Sequence, residues 1–198
     1  MSETGDGAPR PLSRLREGAL PEGPRLGPDD AFAFSCDPGV SCYRCCCSDV
    51  NIFLTPYDVL RLKNRLGLTS SEFLRRHALV QIQREMKTPV VLLRMGDDPD
   101  RTCPFLGEEG CTLYSDRPWP CRMYPLGLAA GRDTPDGWRG ERFYFLLEEE
   151  ECRGFDEATR EWTVREWIDD QEIDAWDRWG EAYKELTLHR FFEEGGDR

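Results

Sequence analysis

Cys36-Asp37-Pro38-Gly39-Val40-Ser41-Cys42-Tyr43-Arg44-Cys45-Cys46-Cys47 is the stretch on which the reading of this chain turns, because it packs five thiols into twelve residues. A second cluster opens with Cys103-Pro104-Phe105-Leu106-Gly107-Glu108-Glu109-Gly110-Cys111. It runs on through Asp116-Arg117-Pro118-Trp119-Pro120-Cys121-Arg122, and Cys152 stands alone further along. In a reducing compartment, thiols at such short spacings are more often metal-binding or catalytic than paired in disulfides. The total of nine also forbids complete pairing within the chain.

Thiolates bind soft or borderline cations, and four of them complete a tetrahedral zinc site or hold an iron–sulfur cluster. Cys42 and Cys45 have the spacing that lets a tight turn aim two sulfurs at one centre. The adjacent Cys46 and Cys47 cannot point the same way in a regular element, so they serve different directions or different metals. Cys103, Cys111 and Cys121, as distant ligands, would tie the central strands to this loop, and metal binding would then contribute to folding. Four thiolates leave a net negative charge on either kind of site. Arg44, Arg101, Arg117 and Arg122 lie close in sequence to cysteines and are candidates to balance it. Spacing does not separate zinc from iron–sulfur, since neither the paired zinc-ribbon pattern nor the ferredoxin run is present. The missing zinc signature tilts the reading towards a four-iron cluster.

At 198 residues the chain has the length of about one domain, with 39% hydrophobic residues, a lean supply for a core. The net charge of −12 argues against nucleic acid as the partner, because phosphate binding needs a basic face. There is no secretory signal at the N-terminus and no apolar run of membrane-spanning length, so a cytoplasmic location is expected.

Residues 1–31 are rich in Gly, Pro and charge without hydrophobic period and read as a disordered arm. After the first cluster, residues 50–54 are apolar. Thr55 and Pro56 then open a helix carrying Asp58 near its positive end, with Val59, Leu62 and Leu66 at helical spacing and Gly67 as the stop. Thr69 and Glu72 form a capping box for a second helix bearing Phe73, Leu74 and Ala78. Residues 89–95 and 142–147 read as strands, residues 111–114 as a short third, and 131–140 as a loop. Thr163 and Glu166 open a helical C-terminus with Trp167, Ile168, Ile173, Trp176, Trp179, Tyr183 and Leu186 along an apolar stripe, before a polar tail at 193–198. The fold class expected is α+β: a small cysteine-rich metal-binding domain over residues 32–192 with short strands and flanking helices.

These segments together resemble the YkgJ-type cysteine-cluster family, the zinc- or iron-chelating domain known by its CxxCxxCC motif. The resemblance is carried by Asn51-Ile52-Phe53-Leu54-Thr55-Pro56-Tyr57-Asp58, Leu66-Gly67-Leu68, Cys103-Pro104-Phe105-Leu106, Gly110-Cys111, and Tyr114 with Asp116-Arg117-Pro118. It ends with Cys121-Arg122-Met123-Tyr124-Pro125-Leu126, and Cys152-Arg153-Gly154 looks like the usual extension. It implies metal or iron–sulfur binding with no settled reaction. A related motif in flagellin lysine N-methylases adds an analogy to a metal-dependent protein-modifying enzyme. Three consecutive cysteines stand where the family has two. Counting back from Leu54-Thr55-Pro56 favours Cys46 and Cys47 as the matching pair, with Cys45 surplus; Cys45 and Cys46 is the other register. The carried-over metal positions are Cys36, Cys42, Cys46, Cys47, Cys103, Cys111, Cys121 and Cys152, enough for two four-thiolate sites or for one site plus redox-active spares.

Other chemistry finds little support. His77 and His189 have no metal spacing and read as surface or packing residues, and no phosphate loop or Ser-His-Asp arrangement is present. The Trp-rich stripe reads as core and residues 148–151 as a solvated strand end. The expected function is binding of an iron–sulfur cluster or Zn²⁺ through thiolates, with a redox or accessory role beside a protein partner. A structural zinc module, a modifying enzyme and a metal-free thiol switch are the rivals.

Overall fold

The computed structural model describes residues 23–81, 89–130 and 142–187. The architecture is α+β, with helices set around short antiparallel ribbons. Strand β1 (Ala31–Ala33) pairs with β8 (Glu161–Thr163), and β2 (Ala78–Gln81) with β3 (Val90–Leu93). The hairpin strands β4 (Leu106–Gly107) and β5 (Gly110–Cys111) pair with each other, as do β6 (Leu126–Ala130) and β7 (Arg142–Leu146). The apolar residues 52–54 add to the β2–β3 ribbon: Leu54 N–H donates to Val91 O at 2.8 Å and Leu93 N–H to Ile52 O at 2.9 Å.

Helix α1 (Pro56–Arg65) begins and ends where its sequence says it should. Thr55 and Asp58 form a reciprocal capping box, with Pro56 at the first helical position. At the other end Gly67 takes φ +66°, Leu68 N–H donates to Lys63 O at 2.8 Å and Gly67 N–H to Asn64 O at 3.2 Å. That is a Schellman ending, which glycine permits without a Cβ penalty. Helix α2 (Ser70–His77) has its own box from Thr69 and Glu72, and α4 (Val164–Asp170) one from Thr163 and Glu166. Each such cap contributes about 1 kcal/mol by satisfying orphan N–H groups.

Several expectations are adjusted by the packing. The C-terminal helical region is two helices, because Glu172 turns left-handed at φ 52° and separates α4 from α5 (Ile173–Thr187). The stripe on them is not all core: Ile173 and Trp176 are buried, whereas Trp179 and Leu186 are exposed. The strand read at 111–114 stops at Cys111, and Tyr114–Asp116 is a 3-10 turn. Leu26, within the stretch read as arm, is buried and bridges Tyr144, so folded structure begins ahead of residue 31. Residues 1–22, the 131–140 loop, His189 and the 193–198 tail lie outside the described residues. His77 packs its ring against Phe73 and Phe105, in keeping with a packing role.

Two apolar cores result. The first gathers Phe32, Phe34, Met123, Leu126, Trp162, Trp167 and Ile173, and Cys152 packs against it. The second gathers Leu54, Leu62, Phe73, Leu93, Phe105 and Leu113, and Cys103 and Cys111 pack against that. Asp58 helps hold the two halves together. Fully buried, it accepts Thr55 N–H and Oγ–H at 2.7 Å each and reaches across the fold to Trp119 N–H at 2.9 Å, at the start of the short helix α3 (Trp119–Met123). Burial raises its pKa while these donors hold it down.

Asp58→Ala leaves those donors unpaired, and we expect it to lower stability by about 3 kcal/mol, read from the denaturant midpoint. A change below about 0.5 kcal/mol, the scale of ordinary surface substitutions, would mean that Asp58 is no such tie.

Candidate metal centre

The first cysteine loop is bent by a 3-10 turn made of its three consecutive cysteines, Cys45–Cys47. Arg44 enters that turn in the left-handed region at φ 76°, an unusual conformation for a non-glycine residue and one that functional sites tend to hold. Cys45 N–H donates to Cys42 O at 2.9 Å and Cys47 N–H to Arg44 O at 3.0 Å. With three residues per turn, successive side chains leave such a turn about 120° apart. Cys45, Cys46 and Cys47 therefore face three different ways.

Cys47 faces the second cluster. Cys103 N–H donates to Cys47 O at 2.8 Å, and Ser48 bridges Thr102. The register of β4 and β5 sets Leu106 opposite Cys111, while Leu106 N–H donates to Cys103 O at 3.0 Å, so both cysteines lie on one small hairpin. Cys121, on α3, is an electrostatic neighbour of Cys103 and Cys111 and, less strongly, of Cys46, and Cys47 is one of Cys46, Cys103 and Cys121. Burial, then Cys103, pushes the Cys121 thiol up to about 12, and Cys103 moves the same way for want of solvent.

Cys46 is the foremost thiol neighbour of Cys36 and a lesser one of Cys121. Cys36 feels Cys46, Cys152 and Cys42 around it. Cys36 is an exposed residue; partial desolvation followed by the Cys46 sulfur pushes its thiol up to about 11. The segment carrying Cys152 is laid along this loop by specific bonds. Arg153 N–H donates to Cys42 Sγ at 3.0 Å, Ser35 N–H to Gly154 O at 3.0 Å, and Ser41 N–H to the Glu157 carboxylate at 2.7 Å. The Ser41 hydroxyl also donates to Glu157, and these bonds hold that carboxyl below its usual range. Between the two groups, the Cys46 and Cys47 thiols are close neighbours. Their interaction draws Cys46 down to about 7 and raises Cys47, so the pair favours thiolate on Cys46.

All nine cysteines are free thiols. Eight of them, the positions carried over by sequence, fall into these two neighbourhoods. Cys45 lies apart, exposed, in an open cleft with Tyr43, Arg44, Leu106, Gly107 and Glu108. No three His, Cys, Asp or Glu side chains among the described residues are gathered closely enough to share one bare ion. The donor set suits a thiophilic metal group all the same. Crowded thiols with raised pKa values keep their protons until a cation displaces them, and an N–H already points at a sulfur.

Of the four arginines expected near the thiols, Arg117 has its charge beside several of them: it is an electrostatic neighbour of Cys36, Cys46 and Cys121. Arg44 instead caps the β4–β5 hairpin through Gly107 O at 3.1 Å and Glu108 O, and Arg101 pairs with Asp49 at 3.5 Å. Arg122 is buried and engaged by carbonyls and a ring. It donates to Arg117 O at 3.0 Å, Gln171 O at 2.7 Å and Ser115 O, and lies 3.8 Å over the Trp176 ring. Sequence reasoning did not single out Tyr124 or Glu157. The Tyr124 hydroxyl is buried without a formed hydrogen bond and faces Cys152; Glu157 fixes Ser41 from far along the chain. Tyr124 adjoins the second cluster in sequence, but Glu157 carries no local signal.

A compact α+β fold that brings eight thiols to the junction of two small cores defines a cysteine-rich metal-binding domain. The chain belongs to the CxxCxxCC family, described as a "Putative zinc- or iron-chelating domain", whose family model matches residues 35–153. No curated protein and no solved structure matches the chain.

Glycine tests the docking of the Cys152 segment. A Cβ on Gly154 would sit 2.5 Å from the Phe34 ring and 2.6 Å from Ser35 O, whereas one on Gly180, inside α5, meets nothing within 4 Å. Gly154→Ala should destabilise by about 2 kcal/mol through overpacking. Gly180→Ala should stabilise by about 0.5–1 kcal/mol through helix propensity. Equal responses in denaturant melts would contradict this account of the loop.

Proposed function

We propose that this domain binds iron–sulfur clusters, four-iron clusters in preference, through Cys36, Cys42, Cys46, Cys47, Cys103, Cys111, Cys121 and Cys152, and serves a redox or accessory role for a protein partner in the cytoplasm. The observation that carries the reading is the all-sulfur character and spread of the thiols. They neighbour one another electrostatically without converging on a point, as thiolates set around a polynuclear cluster would. Local geometry argues in the same direction. A zinc knuckle would aim both sulfurs of a Cys-x-x-Cys turn at one ion, yet Cys42 faces the Cys36 group while Cys45 opens to the cleft.

When bound, such a cluster supplies one-electron redox chemistry. The chain's own residues would hold it and set its surroundings. Arg153 N–H donates to the Cys42 sulfur and the Arg117 charge faces the thiols; hydrogen bonds to sulfur and nearby charge are the means by which protein tunes a cluster. A structural zinc module remains the second reading, because the family description includes zinc. The modifying-enzyme analogy gains nothing from the cleft at Cys45, which is an open depression lined in part by backbone glycine.

Protein purified without oxygen should contain iron and acid-labile sulfide and show a broad band near ~400 nm from thiolate-to-iron charge transfer. Colourless protein with stoichiometric zinc would overturn the cluster reading. Among single variants, Cys46→Ser, Cys111→Ser and Cys121→Ser should each lose metal while Cys45→Ser keeps it. Full loading in the first three would overturn the ligand assignment.

A further inference from the structure

We infer that the eight thiols form two adjoining metal sites, Cys36/Cys42/Cys46/Cys152 and Cys47/Cys103/Cys111/Cys121, fused at the Cys46–Cys47 peptide and coupled through the single guanidinium of Arg117. The inference rests on the thiolate-ligand reading above and divides it.

Three separate features make the division. The first is the 3-10 turn, which starts adjacent side chains about 120° apart, so Cys46 leans to Cys36 and Cys47 to Cys103 and Cys121 while the two thiols stay neighbours. Next comes the backbone stitching. Cys47 is bonded to Cys103, whose hairpin carries Cys111, while Cys42 is bonded to the segment that carries Cys152. Last are the walls: Cys152 packs against the core built on Phe34 and Trp167, whereas Cys103 and Cys111 pack against the core built on Phe73 and Phe105. Each quartet thus has its own apolar backing, and the Cys46–Cys47 step, with Cys46 also a lesser neighbour of Cys121, is the common ground.

Arg117 stands at that common ground. Its neighbours include Cys36 and Cys46 from one quartet and Cys121 from the other. Its guanidinium lies 3.6 Å over the Tyr114 ring and bonds Gln171 Oε1, which fixes its place. Its Nε is buried with no hydrogen-bond partner. A buried N–H left unpaired is costly, so an acceptor is expected there, and the anionic sulfur of a loaded site is one. Removing this one cation would weaken both sites together, since each site's negative charge is balanced by the same group.

Metal content and chelator release test this on the full chain. The unaltered protein should hold twice the metal of Cys42→Ser and twice that of Cys111→Ser, and the double variant should hold none. If either single substitution removed all the metal from a chain whose far-ultraviolet spectrum is unchanged, the eight thiols would form one site. Because a serine variant can misfold, Arg117 provides a second test with every thiol in place. Arg117→Met should speed metal release to a chelator about tenfold from both halves, the usual scale for loss of an outer partner, and Arg117→Lys should restore much of it. Acceleration confined to one half, or none, would overturn the shared role. Zinc found in two equal portions would defeat the iron–sulfur reading and leave the two sites standing; no metal in the unaltered chain would overturn both.

Discussion

Everything around the thiols depends on one tight turn. A 3-10 helix of three consecutive cysteines is held at its entrance by a left-handed Arg44 and at its exit by Cys103 N–H on Cys47 O. An α-helix would spread these side chains about 100° apart, and a strand would alternate them between two faces. The 3-10 turn instead supplies three directions within one short step. The Arg44 side chain adds to the constraint by capping the carbonyls of the β4–β5 hairpin, so the turn and the second cluster are fixed as a unit.

The rest of the fold brings partners to that turn. Helices α1 and α2 and the β2–β3 ribbon build the core behind Cys103 and Cys111. The β1–β8 pair and α4 build the one behind Cys152. Buried polar groups join these halves where apolar contact alone would not fix orientation. Asp58 ties the start of α1 to the start of α3, and Arg122 ties residues 115–117 to the corner between α4 and α5. Both are expensive to bury, and both are stabilising only because their hydrogen bonds are made. The lean hydrophobic content is consistent with a domain in which bound metal would add to the folding energy.

Local chemistry was legible in the sequence wherever it acts over a few residues. Thr55 with Asp58, Thr69 with Glu72 and Thr163 with Glu166 announced three helix starts, and Gly67 announced a stop, because caps answer to groups within one turn. The apolar run Val90-Val91-Leu92-Leu93 ahead of Met95 marked its strand for the same reason. Strands β1, β2, β6 and β8 were not visible, being short segments that are extended only because a distant partner pairs with them. The break at Glu172 was hidden too, since the apolar stripe continues across it. Proximity in sequence also said nothing of the partners that Arg44 and Arg122 find, since their long side chains reach backbone carbonyls elsewhere.

By itself, the sequence determined the kind of chemistry: clustered thiols point to metal chelation, and the local motifs identify its family. The tertiary structure decided which thiol neighbours which. Cys36 and Cys152 meet across more than a hundred residues through the bonds of Ser35 to Gly154 and Ser41 to Glu157, and Cys47 meets Cys103 through a backbone bond. The physical reason is that a thiol's type and spacing are local properties, whereas its direction is set by backbone conformation and its company by long-range packing.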